Sequence, residues 1–242
     1  MTHPLIHLER RLLARYHLKE NTVVCGEKIL RVLSVANIDE LLDQVTDENE
    51  IPFWAELWPA AIGLLQFLIA WPQLKGQTVL ELGCGTGLAG LGVLLRGGVL
   101  TQTDYMVEAL QFAAVNAARN GLSPAQCVQA DWRHFSLRQK YDWIIGSDVL
   151  YEKKLHPFLW QIFHSNLSAE GQVVLADPGR LYAQQFMQIM EEHGWTVQTD
   201  RRLIDFEAKI TPVDIYCCRP PKVAGQGPSQ QAFYGNGRDR IG

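Results

Sequence analysis

The chain has 242 residues, 47% hydrophobic and 20% charged, which is long and apolar enough for a sizeable core and excludes a disordered protein. Its net charge of −4 and pI near 6.0, with no basic patch in the first 200 residues, exclude nucleic acid as the expected partner. Five cysteines without a C-x-x-C pair exclude a disulfide framework and point to a reducing cytoplasm.

Residues 4–18 place Leu5, Leu8, Leu12 and Tyr16 at helical spacing, with Arg10, Arg11 and Arg15 on other faces. Such charges among the leucines exclude a secretory signal. Thr22–Cys25 and Ile29–Leu33 flank a Gly26-Glu27 turn and predict a hairpin. Residues 1–50 therefore form an N-terminal helix and hairpin extension. Its end, Asp39 to Glu50, has six acids and no base: either a solvated face or a negative rim for a cationic substrate. Next, Phe53, Trp54 and Trp58 crowd between Pro52 and Pro59. These rings cap the core, or one of them, Trp58, lines a cofactor pocket. The apolar segment 60–70 lies between Pro59 and Pro72 and falls short of the roughly 20 residues of a membrane span, so a soluble protein without a membrane partner is expected.

From Thr78 onward strands alternate with helices. Strands are predicted at 78–82, 98–103, 126–130, 141–147, 171–176, 195–200 and 212–218, and helices at 87–96, 106–119, 154–167 and 179–193. Repeated βα units imply a doubly wound, Rossmann-like α/β sheet within a domain spanning 51–219. Residues 220–242, with little apolar content and five glycines from Arg219 on, read as a flexible tail. His134, His156, His164 and His193 are scattered, and no spacing suits a metal.

The most informative stretch is Glu81-Leu82-Gly83-Cys84-Gly85-Thr86-Gly87. A β-branched strand precedes it and a leucine-rich helix follows, so three alternate glycines stand where only glycine lets the backbone bend sharply beside a ligand. Gly85–Gly90 also fits G-x-G-x-x-G, which keeps a dinucleotide-dependent oxidoreductase open. Glu81, with no Lys or Arg nearby, suits a cofactor with a cationic head better than a pyrophosphate. Asp104 ends the second strand, where a carboxylate accepts from both ribose hydroxyls. Asp131 and Trp132 follow the third strand, offering an acceptor for an adenine amine and a ring for the base. Asp148 closes the fourth.

These residues resemble the class I, or seven-β-strand, S-adenosylmethionine-dependent methyltransferases over roughly residues 51–218. Trp54–Ala60 and Ser147–Glu152 are similar to the lysine methyltransferases often called family 16. Asp177–Arg180 and Thr211–Val213 resemble its branch acting on the electron transfer flavoprotein β-subunit, in a group that also holds bacterial nicotinamide N-methyltransferase-like proteins. The resemblance implies S-adenosyl-L-methionine as cofactor, strand order 3-2-1-4-5-7-6 with strand 7 antiparallel, and Asp148 and Tyr151 facing the methyl-accepting nitrogen. Trp58, Glu81, Gly83, Gly85, Gly87, Asp104, Asp131 and Trp132 are then the cofactor-binding candidates. Trp54, Trp58, Tyr151 and Phe158 are candidates for the walls of the acceptor pocket. The expected acceptor is a lysine of a protein substrate, alternatively a small amine, and the expected state a monomer. A non-catalytic cofactor-binding protein is the remaining alternative.

Overall fold

A computed structural model describes residues 3–42, 51–71 and 74–222 of the protein. Most of the acidic run, from residue 43, and the predicted tail from residue 223 lie outside the described residues.

The amphipathic N-terminal run forms α1 (His3–Arg15), followed by a hairpin of β1 (Leu18–Cys25) and β2 (Lys28–Val35) about the Gly26-Glu27 turn. A short α2 (Asp39–Leu42) follows, and then α3 (Pro59–Ala70), whose rigid first-turn proline suits a helix start. The alternating part consists of β3 (Thr78–Leu82), α4 (Leu88–Leu95), β4 (Val99–Asp104), α5 (Val107–Arg119), β5 (Gln126–Gln129), β6 (Tyr141–Ser147), α6 (His156–Asn166), β7 (Leu167–Asp177), α7 (Leu181–Glu192), β8 (Thr196–Phe206) and β9 (Lys209–Arg219).

Among the described residues the main sheet has seven strands in the order β5-β4-β3-β6-β7-β9-β8. Counted from β3, this is the order that the family resemblance implies. Only β9 runs against its neighbours, β7 and β8. Successive strand residues face opposite sides, so Val79, Ile145 and Val174 pack under α3 and α4, whereas Leu80, Ile144 and Val173 pack against α6 and α7. Both faces are therefore covered, as a mainly parallel sheet requires.

The last two strands are longer than their sequence predicts. They form a hairpin whose turn, Glu207-Ala208, has φ of 51° and 59°. A turn of this hand normally carries Gly or Asn, so its composition gave no signal. Its tip is tied to β1 by Lys19–Glu207 at 2.7 Å.

The N-terminal hairpin is held by side chains imitating a strand. Asn116 Oδ1 accepts from Leu33 N at 2.8 Å and Asn116 Nδ2 donates to Leu33 O at 3.0 Å. One helical turn on, Asn120 exchanges the same two bonds with Arg31 at 3.0 and 2.9 Å. The rise of four helical residues is about 6 Å and that of two strand residues about 6.6 Å, so the registers agree. Asn116 Nδ2 also reaches Thr86 O at 2.9 Å. Asn116→Ala strands these buried groups and is expected to lower the unfolding free energy by about 2–4 kcal/mol. A lower urea midpoint with an unchanged slope is the signature to look for.

Candidate active site

A cleft of about 590 Å³ opens at the carboxyl ends of the central strands, where open α/β sheets bind ligands. The turn between β3 and α4 forms its floor. Gly83, Gly85 and Gly87 all have left-handed φ, of 62°, 51° and 80°. A Cβ on Gly83 would lie 3.2 Å from the Trp132 ring and another on Gly87 only 2.5 Å from Ala113 Cβ. Gly87 thus serves the packing of α4 on α5 and does not line the cleft.

Asp104, at the end of β4, ties the turn to the sheet. Its two oxygens accept from Gly85 N at 2.9 Å and Met106 N at 3.0 Å, and each keeps a further lone pair. Burial raises its carboxyl to about 6 against the Gly85, Met106 and Tyr105 amides. Asp131 accepts from Arg133 N and Arg133 Nε, both at 2.9 Å. Burial alone would raise Asp131; the Arg133 donors bring it below its ordinary value. Trp132 follows it on the same wall.

Glu81 lies elsewhere. On β3 it shares the face of Val79, so its side chain runs beneath α4, 1% exposed, and accepts from Gln102 Nε2 at 2.7 Å. The expectation that its carboxylate faces the ligand is corrected by this alternation: Glu81 does not line the cleft. Burial lifts it from 4.5 to about 7 in the face of the Gln102 and Gly90 donors. A folded protein that holds this proton more tightly than the unfolded chain gains stability below pH 4.5 and loses it as pH rises through 7. Glu81→Gln, which keeps an acceptor for Gln102, is expected to remove that slope and stabilise the protein at pH 8 by about 3 kcal/mol. Urea unfolding at pH 5 and pH 8 measures both effects.

On the opposite wall, Asp148 has φ 56° and donates its N–H to Ala176 O at 2.9 Å. It caps no helix: α6 has Leu155 at its N-cap and no side-chain cap bond. Its carboxylate pairs with the Arg180 guanidinium, which also holds Asp177 at 3.0 Å. Burial raises the Asp148 carboxyl, with Arg180 pulling the other way. Tyr151 stands half open at the rim, and burial followed by nearby Glu152 and Asp104 raises its hydroxyl. Its ring is 5.8 Å from that of Phe53, which lies 6.3 Å from Trp58. Trp58 Nε1 donates to Phe53 O at 2.8 Å, fixing the loop.

Trp54 both touches the cleft and fills the core, against Phe112 at 5.6 Å and Tyr16 at 5.9 Å, and its buried Nε1 has no partner. Phe158 is not a wall; it borders a separate shallow pocket beside Arg138. Thus Trp58, Gly83, Gly85, Asp104, Asp131, Trp132, Asp148 and Tyr151 meet around one cleft, with Glu81 and Gly87 supporting its floor. In the sequence Asp177–Arg180 stands out only by its resemblance, and the inward reach of Arg180 is missed. The signal available was a lone arginine among acids at neighbouring strand ends. Among the described residues no His, Cys, Asp and Glu group suits a metal ion, and no helix is long and apolar enough to cross a membrane.

A family model described as lysine methyltransferase matches residues 39–193. The histidine protein methyltransferase 1 homolog of Dictyostelium discoideum is 31% identical over 128 residues, covering 50% of this chain and 41% of that protein. The electron transfer flavoprotein beta subunit lysine methyltransferase of Danio rerio is 32% identical over 132 residues, covering 53% and 51%. The chain thus spans about half the length of these curated relatives or less. The crystal structure of the ribosomal protein L11 methylase from Lactobacillus delbrueckii subsp. bulgaricus superposes with a TM-score of 0.53 at 21% identity, over 65% of this chain and 77% of that one, a likeness of fold.

Proposed function

Because the chain belongs to the lysine methyltransferase family, we propose that it is an S-adenosyl-L-methionine-dependent N-methyltransferase whose acceptor is a lysine of a protein. The observation that carries this reading is that both walls of one cleft hold the needed groups, Asp104, Asp131 and Trp132 on one side and Asp148 with Tyr151 on the other. The cleft fits the cofactor: two left-handed glycines keep its floor free of side chains, and Asp104 retains acceptor lone pairs.

When bound, S-adenosyl-L-methionine supplies a methyl group activated by its sulfonium. Asp104 would accept from the ribose hydroxyls and Asp131 from the adenine amine, and Trp132 would pack on the base. Gly83 and Gly85 would let the backbone come close, with Trp58 at the rim. For the acceptor, Phe53, Trp58 and Tyr151 form an aromatic collar that excludes water once a substrate covers it, and this loss of hydration favours the neutral amine. Asp148 stabilises the positive charge that develops on nitrogen, and the Tyr151 hydroxyl orients it. Alignment in such a collar supplies several kcal/mol, up to about 10 in ideal cases. A protein acceptor is favoured over a small amine because Phe53 and Tyr151 are 43% and 42% exposed, leaving a collar open to a surface lysine.

Five free cysteines support a reducing, cytoplasmic setting. Calorimetry tests the cofactor: S-adenosylhomocysteine should bind, and binding of NAD alone would overturn the reading. Labelled S-adenosyl-L-methionine, incubated with the protein and a lysate lacking it, should mark a protein band; label in a small metabolite alone would replace the lysine acceptor.

A further inference from the structure

Three carboxylates cluster beside the acceptor wall: Asp148 after β6, Asp177 closing β7 and Asp214 within β9. Asp177 and Asp214 face each other across the strand pair and are 0% and 3% exposed. Arg201 satisfies Asp214, reaching its two oxygens at 2.6 and 2.8 Å. Asp148 and Asp177 are left to one cation. Arg180 Nη1 donates to Asp148 Oδ1 and, at 3.0 Å, to Asp177 Oδ2, while Arg180 N donates to Asp177 Oδ1 at 2.7 Å. Asp148 Oδ2 has no donor among the described residues. The turn that delivers Arg180 is fixed by Gly179, with φ 82° and a Cβ position 3.3 Å from Asp214 Oδ2.

Two buried carboxylates sharing one site do not both stay ionised without a counter-ion between them. With a single guanidinium between them, one negative charge stays uncompensated, next to an Asp148 oxygen that has no donor. Resting on the reading of Asp148 as the group facing the acceptor, we infer that Arg180 is a positioning residue for methyl transfer: it holds the Asp148 carboxylate charged and fixed, and so reserves one negative charge for the acceptor's cation. The other groups around Asp148 do not replace it. Asp177 from β7, Asp104 from β4, Asp214 from β9 and Glu152 on its own loop are acids, Tyr151 is neutral, and the loop's cation facing the cleft, Lys154, is held by Glu152 at 2.6 Å. Once Arg180 is removed, burial and Asp177 both push Asp148 towards protonation.

Carboxyl-carbon NMR titration of the full chain, without cofactor or acceptor, reads this directly, with Asp148→Asn assigning the resonance. Arg180→Gln should raise the Asp148 midpoint by about 1–3 pH units, and Arg180→Lys should hold it within about one. Asp177→Asn, which frees Arg180 for Asp148 alone, should lower the midpoint and stands in if Arg180→Gln fails to fold. An unmoved midpoint in Arg180→Gln or Asp177→Asn, or an Arg180→Lys shift as large as that of Arg180→Gln, overturns the role. In the methylation assay the acidic limb of the rate profile should move with the midpoint. Since the titration needs no methyl transfer, a chain that transfers none overturns the proposed function and leaves this result standing.

Discussion

Asp148→Ala should lower the rate of methyl transfer by about 10²–10³-fold, the usual cost of deleting one preorganised group that meets developing charge. Affinity for S-adenosylhomocysteine should stay within a few-fold, since Asp104 and Asp131 follow β4 and β5, across β3 from Asp148. The substitution also leaves Arg180 with Asp177 alone, a pair that remains balanced. The fold should therefore survive, and the loss should fall on kcat more than on cofactor binding. Single-turnover transfer at saturating cofactor separates these quantities. Full transfer by the variant would remove Asp148 from the mechanism.

Gly87→Ala should cause the largest loss of stability of any single methyl addition in the glycine turn. The new Cβ would lie 2.5 Å from Ala113 Cβ and 2.6 Å from Ala113 Cα, and the latter is backbone that does not swing aside. A left-handed φ of 80° adds its own penalty. Together these amount to about 3–4 kcal/mol. Gly85→Ala is the control: its Cβ would meet only the Trp54 backbone, O at 3.5 Å and Cα at 3.8 Å, both ordinary contacts. The unfolding midpoint of the first variant should drop well below that of the second. Equal midpoints would show that α4 and α5 separate more readily than their packing implies.

Much of this arrangement is legible in the sequence because it follows from period and punctuation. β-branched runs ending in acids gave the strands and put Asp104, Asp131 and Asp148 at one edge of the sheet. Glu81 shows where such reading slips. Its place in the motif suggested a ligand contact, yet it is an even step from Val79 and shares that residue's buried face. Arg180 was hidden for another reason: a long side chain reaches Asp148, 32 positions earlier, along a path no local pattern records. The Glu207-Ala208 turn lacked the glycine that usually marks its geometry. Trp54 served two readings at once, since its ring fills the core while another part of the residue borders the cleft.

The asparagine clasp on α5 has a consequence for the chain's architecture. Asn116 Nδ2 is shared between Leu33 O in the N-terminal hairpin and Thr86 O in the glycine turn. One amide thus spans the boundary between the extension and the cofactor cleft. The first forty residues are in this sense the outer jamb of the cleft's doorway, hung on the same post as its floor. A chain trimmed to residues 51–222 would keep every residue that lines the cleft and lose the partner that keeps Asn116 in register against the turn.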